Sequence, residues 1–426
     1  MGEVKKICKE AKAASKILSK APSSQKDEAL SAIAELLITH QDEWMSANEK
    51  DVSLAKKEGM SESLIDRLTL DEKRVKNISE AVKQLTYLDD PVSKSDKSYA
   101  MPNGLDITRR RVPLGVVAAI FEARPNVAVD IASLCIKSGN SCILRGGHEV
   151  INSNRAVTKI IQQGLTKASL PEGCVSLIND TSRNAATKLM HMDKYVDVLI
   201  PRGGKNLIRS VVKNSTVPTI RTGEGVCHIY VDEFADSCLS ANIIFNAKCS
   251  RPSVCNAVEC VLLHKGALNG FCEVCVPKLV AENVEFRCDL ESLDEISEAC
   301  GQNYVSKGLV VKATKEDWDA EYDDYVLAIK VVDSYEEAVG FINKHTSGHS
   351  EAIMTQSYEH AESFLNDIDA AAVYVNASTR FTDGGEFGMG AEVGISTQKL
   401  HVRGPFGLEG LTTCKYVIRG KGQVRE

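Results

Sequence analysis

The densest chemistry in the chain lies at residues 249–260, "CSRPSVCNAVEC", where three of the fourteen cysteines fall together. Cysteine at this density serves metal ligation, a disulfide framework, or one reactive thiol among inert neighbours. Zinc wants four ligands, commonly two close pairs. Only Cys272 and Cys275, in "NGFCEVCVPKL", show a C-x-x-C spacing, and Cys288 and Cys300 stand without a paired Cys or His beside them. No metal is expected there, and packing of a helix face accounts for the pair. The N-terminal "MGEVKKICKEAKAASKIL" is a lysine-rich amphipathic helix without the apolar run of a secretory signal. It also lacks the Ser or Thr of a myristoylation site. No window approaches the roughly 18 apolar residues of a membrane span. The expectation is a cytosolic protein whose thiols stay reduced and mostly serve as small buried hydrophobes.

That leaves one reactive thiol. Pro252 suits the first turn of a helix, and Val254, Ala257, Val258, Val261 and Leu262 form one stripe at helical spacing. This predicts a helix with Cys255 in its first turn, where unpaired N–H groups and the helix dipole favour a thiolate. Cys249 precedes that helix, and Cys260 sits deeper within it. Glu259, one turn on, would oppose ionisation if it faced the sulfur. An acyl group on Cys255 needs an oxyanion site. "IFEARPNVAVD" ends a buried strand and starts a helix at Pro125–Asn126, so the Asn126 amide can project at a strand's carboxyl end. The alternative is that Asn126 merely caps the helix.

The elements that must position these residues follow from periodicity. The first hundred residues read as helices, closed by Pro91 and "DDPVSKSDKS". "YAMPNGLDITRRR" then reads as two short strands about a Pro102–Asn103–Gly104 turn, with Arg109–Arg111 on a solvated or interface strand. From there strands alternate with helices: "VPLGVVAAIFE", "SCILRG", "VSLIN", "VDVLIP" and "CHIYVD", then "KGLVVKA", "YVLAIKVVD" and "AAVYVNAS", with "TTCKYVIRG" as an edge or exchanged strand. Alternation of this kind indicates parallel α/β sheets, which bind ligands beyond the carboxyl ends of their strands. A length of 426 residues exceeds one compact core. The net charge of −7 argues against a nucleic-acid surface. No strand–helix junction carries G-x-G-x-x-G, so the glycines alone leave the cofactor open.

Together, "PLGVVAAIFEARPN", "SGNSCILRGGHEVINSNRA", "IPRGGKNLIR", "GEGVCHIYVDE", "RPSVCNAVECVLLH" and "NASTRFTDGGEFGMGAEVGISTQKLHVRGPFGLEGLTT" resemble the family of γ-glutamyl phosphate reductases within the aldehyde dehydrogenase superfamily. The resemblance runs from about residue 5 to residue 424. It implies an α/β aldehyde-dehydrogenase fold: a Rossmann-type cofactor domain over 1–98 and 113–240, a catalytic domain over 241–410, and an oligomerisation hairpin and strand over 99–112 and 411–426. It implies Cys255 as nucleophile and Asn126 as oxyanion donor. It also implies Arg145, Gly203 and Glu321 as cofactor residues, with Arg145 suited to the 2′-phosphate of NADP(H). Arg124 and Arg251 are candidates for the substrate's anionic groups, and the "GGEFGMG" loop could add backbone N–H groups. The water-activating glutamate of oxidising relatives is missing: Arg221 stands near its place and Glu224 is out of register. That departure suits a thioester passed to hydride rather than to water. The expected partners are a small-molecule substrate, further copies of the chain in a homo-oligomer, and a glutamate 5-kinase. Rival readings are a hydrolytic NAD-linked aldehyde dehydrogenase and a non-catalytic scaffold on the same fold.

Overall fold

The computed structural model describes residues 2–425. The chain divides into two compact units. The first comprises residues 1–222, 388–394 and 406–426, and the second residues 223–387 and 395–405. The units divide at Thr222/Gly223, where the expected cofactor domain ran on to residue 240. The strand Cys227–Val231 is the reason: it pairs in parallel with Val258–His264 and Ser350–Met354 of the second unit. Residues 388–394 and 406–410 likewise belong to the first unit rather than to a catalytic domain ending at 410.

The first unit opens with helices at Glu3–Leu18, Ser23–Thr39, Gln41–Lys57, Glu62–Leu68 and Glu72–Gln84. Its central sheet is wholly parallel, in the order Val175–Leu177, Ser141–Gly146, Val116–Phe121, Val198–Arg202. Every residue of Val116–Phe121 and Ser141–Gly146 is buried, as expected of parallel strands covered on both faces. A separate antiparallel sheet joins Ser95–Ala100, Asp106–Pro113 and Thr412–Arg419. The last strand pairs within its own chain, along Asp106–Pro113 from end to end.

The second unit holds a seven-stranded parallel sheet. Its order is Val310–Lys312, Glu285–Cys288, Val326–Val332, Val258–His264, Cys227–Val231, Ser350–Met354, Ala372–Val375. Ala372–Val375 lies at the edge and is only partly buried, where "AAVYVNAS" suggested a buried strand.

The expected helix at Pro252 does not form. Residues 252–257 make turns, and Val258–His264 is a buried strand near the middle of the sheet. "AVECVLLH" fits both periodicities, because a strand buried on both faces has no polar face to betray a period of two. The β-branched residues and the neighbouring strands decide for the sheet.

Candidate active site

Cys255 sits on a turn at the amino end of the strand Val258–His264, not in the first turn of a helix. The turn is closed by the Ala257 N–H donating to the Val254 carbonyl at 2.9 Å. Other groups of the second unit grip it from outside. The buried Cys227 thiol donates to the Cys255 carbonyl at 3.3 Å. Gly225 packs so closely that an added Cβ would lie 1.5 Å from the same oxygen. The Gly225 N–H donates to Glu321 Oε1 at 3.0 Å, which ties that glutamate to the wall of the turn.

The opposite wall is the short turn Thr379–Phe381. The Thr379 hydroxyl donates to the Asn256 carbonyl at 2.7 Å, and Asn256 Nδ2 donates to the carbonyls of Thr382 at 3.0 Å and Arg380 at 3.2 Å. Arg380 reaches back with Nε to Ser250 Oγ at 3.1 Å and with Nη1 to Asn256 Oδ1. Its acceptors are therefore neutral groups on either side of Cys255. Burial, then the like charge of Arg251, lowers the Arg380 pKa, against the pull of Asp383 and Cys255. Two guanidinium groups thus act on each other near the thiol, an arrangement that an anion would relieve.

The other two cysteines of the opening stretch are packing residues. Burial pushes the Cys249 thiol up to about 11 and raises that of Cys260 as well. Cys255 is half-exposed. Glu259 belongs to the strand and meets Lys248 Nζ at 2.6 Å, both side chains being inaccessible to solvent. Burial raises the Glu259 carboxyl, and Lys248 opposes that shift. Its charge therefore has its own counter-ion. Cys272 and Cys275 lie on a helical segment at Phe271–Ala281 that packs into the core, and no metal-binding group of three or more ligands occurs among the described residues.

In the first unit, Asn126 follows the strand Val116–Phe121 on the first turn of helix Pro125–Lys137. It does not cap that helix: Arg124 holds the cap position, and Asn126 Nδ2 donates to Asp130 Oδ2 at 2.9 Å. Arg145 is the penultimate residue of the neighbouring strand Ser141–Gly146, at 8% exposure. Its Nη2 donates to the carbonyls of Thr181 and Ser182, while its Nε is buried without a partner. Gly203 lies beside Glu122, whose Oε2 would be 2.4 Å from an added Cβ. Glu122 also accepts the Gly204 N–H at 3.0 Å, where helix Lys205–Asn214 begins. A buried guanidinium with an orphaned N–H, and a glycine whose missing side chain lets a helix start approach, fit the ribose and phosphate groups of a nicotinamide dinucleotide. Arg124, Arg251 and Arg221 are exposed. In the glycine-rich loop, the N–H groups of Gly385 and Glu386 both go to Asp383 Oδ1, so those two are not open to a ligand.

Residues 2–292 and 280–417 match the model of the aldehyde dehydrogenase family. A gamma-glutamyl phosphate reductase of Clostridium perfringens is 51% identical over 98% of both chains. One from Caldanaerobacter subterraneus is 49% identical over the whole of both. The crystal structure of the Thermotoga maritima gamma-glutamyl phosphate reductase superposes with a TM-score of 0.94, at 43% identity and full coverage of both chains. The chain belongs to the gamma-glutamyl phosphate reductases of the aldehyde dehydrogenase family. An acetylating aldehyde dehydrogenase from Geobacillus thermoglucosidasius shares the fold at 17% identity and a TM-score of 0.69.

Within this reductase chain, four residues of consequence escaped the sequence reading. Cys227 looked like one buried thiol among many, and nothing in the sequence singled out Lys248. Arg380 lies 125 positions from Cys255, so no local spacing links them. Asp130 stood one helical turn from Asn126, and that i, i+4 spacing could have announced it.

Proposed function

We propose that the chain reduces L-glutamate 5-phosphate (γ-glutamyl phosphate) to L-glutamate 5-semialdehyde with release of phosphate, the second step of proline biosynthesis from glutamate. The observation that carries this reading is the half-exposed Cys255 on a turn held by five neighbouring residues, in a chain alike along its length to reductases of that name. Cys255 as thiolate attacks the γ-acyl carbon, the C–O bond to phosphate breaks, and a thioester remains. NADPH, when bound, supplies the hydride that this thioester takes up. Asn126 Nδ2 and the Cys255 N–H then stabilise the oxyanion, a term worth roughly 3–4 kcal/mol per donor. As the carbonyl re-forms, the C–S bond breaks, the semialdehyde leaves and the thiolate returns.

Arg145 is proposed to hold the 2′-phosphate that separates NADP(H) from NAD(H), its partnerless Nε being the supporting observation. Gly203 and Glu321 are proposed to lie along the rest of the cofactor. Arg251 and Arg380, with Arg124, are proposed as cationic partners of the substrate's carboxylate and phosphate. Homo-oligomers built through the sheet of Ser95–Ala100, Asp106–Pro113 and Thr412–Arg419, and acceptance of the acyl phosphate from a glutamate 5-kinase, belong to the same reading. Among the described residues no helix is long and apolar enough to cross a membrane.

The test is the reverse assay, in which glutamate semialdehyde, phosphate and NADP⁺ are supplied. Phosphate-dependent NADPH formation is expected, with Cys255→Ser slower by more than about 10⁴-fold. Reduction of NADP⁺ without phosphate would sink the acyl-phosphate assignment, and full activity in Cys255→Ser would sink the thioester.

A further inference from the structure

The proposed donor at Asn126 works in only one of two orientations. An Asn amide presents either NH₂ or C=O after a half-turn about its last torsion, and only NH₂ can stabilise an oxyanion. Helix Pro125–Lys137 sets Asn126 and Asp130 one turn apart, and Asn126 Nδ2 donates to Asp130 Oδ2 at 2.9 Å. A carboxylate accepts and cannot donate, so it holds the nitrogen and rejects the oxygen. Nδ2 carries two hydrogens, and this bond uses one.

We propose that Asp130 is a positioning residue for the reduction: its carboxylate locks the Asn126 amide so that the second N–H of Nδ2 stays directed to the thioester oxygen. The inference rests on the oxyanion role proposed for Asn126. Without Asp130 the amide turns freely, and half of its orientations set a carbonyl lone pair against the developing negative charge. The carboxylate's own charge is opposed by Arg202, which ends the strand Val198–Arg202. Burial pushes the Asp130 carboxyl up to about 6, while the Asn126 bond and then Arg202 pull it down, so it is mainly ionised at neutral pH. Asn126 and Asp130 are the two residues of helix Pro125–Lys137 that are not buried.

The experiment is a double-mutant cycle in the reverse assay, with Asp130→Ala and Asp130→Asn made in wild-type and Asn126→Ala backgrounds. Melting temperature and NADPH fluorescence on binding monitor the fold and the cofactor site. Asp130→Ala is expected to lower kcat about 10- to 100-fold with KM for the semialdehyde little changed. Asp130→Asn, which can still accept through its carbonyl, is expected to recover part of the loss. In the Asn126→Ala background, neither Asp130 change is expected to slow the enzyme further. Equal losses in both backgrounds, or a wild-type kcat in Asp130→Ala, would overturn the positioning role while leaving Asn126 in place. A wild-type kcat in Asn126→Ala is a different outcome, and it would overturn the oxyanion reading and this inference together. If Asp130→Ala fails to fold, the same comparisons are made with Asp130→Asn, which keeps the shape and loses the charge.

Discussion

Two junctions hold the residues proposed for the chemistry, and they are built in opposite ways. Asn126 comes just after a buried strand, at the carboxyl end of Val116–Phe121, as expected of a parallel sheet. Cys255 comes just before one, at the amino end of Val258–His264. A helix that starts at Pro125 fixes the backbone around Asn126, so one side-chain bond to Asp130 is enough to orient it. The turn around Cys255 starts no helix of its own. It is held instead by Gly225, Cys227, Ser250, Thr379 and Arg380, which converge from distant parts of the second unit. Regular structure positions a residue with few contacts, and an irregular turn needs many.

The contrast can be broken at several points. The largest effect on stability is expected at Lys248→Met, which strips the buried Glu259 of its counter-ion just behind the turn and costs about 3–5 kcal/mol. Adding Glu259→Gln should restore most of that loss in a thermal or urea melt. Gly225→Ala comes next. Its Cβ cannot coexist with the Cys255 carbonyl, so the turn must move, and a shift near 1 Å is worth about 10²-fold in kcat. The equivalent crowding at Gly203, opposite the far end of the Glu122 side chain, should be milder in a parallel assay, because that side chain can swing aside.

A third effect depends on pH. His349 is buried beneath the turn, contacting Cys227 Sγ and Ser350 Oγ through Nδ1, and burial lowers its pKa from 6.5 to about 4. The unfolded chain therefore takes up a proton near pH 6.5 that the folded one refuses until about pH 4. Stability must fall as pH drops through that window, by about 2 kcal/mol at pH 5 relative to neutrality. His349→Gln should flatten this part of a melting-temperature profile; an unchanged acid limb would remove His349 as its source. The smallest effect belongs to Arg380→Gln, expected to raise KM for phosphate or for the semialdehyde about tenfold. Whichever KM moves identifies the anion it serves. Equal values for mutant and wild type would leave Arg380 as a brace for the turn.

Much of this was legible in the sequence where a local rule applies. Pro125 opens a helix after an apolar run, and Pro102–Asn103–Gly104 turns a hairpin, both at the places the residues indicate. Val258–His264 was misread because doubly buried strands and buried helices share the same composition. The grip on Cys255 was not legible at all, since its parts run from Gly225 to Arg380 and meet only through the fold. Glu259 posed a question that Lys248 answers, eleven residues away on another element.

The strand Thr412–Arg419 completes a sheet begun at Ser95, and the first unit is made of residues 1–222 plus the last stretch of chain. Translation therefore delivers all of the second unit before the first can be closed. The nascent chain must hold an open edge at Asp106–Pro113 until some three hundred further residues have been made and Thr412–Arg419 arrives to seal it. Order of synthesis and order of assembly run crosswise in this protein, since Thr412–Arg419 is made after the whole second unit and yet finishes the first.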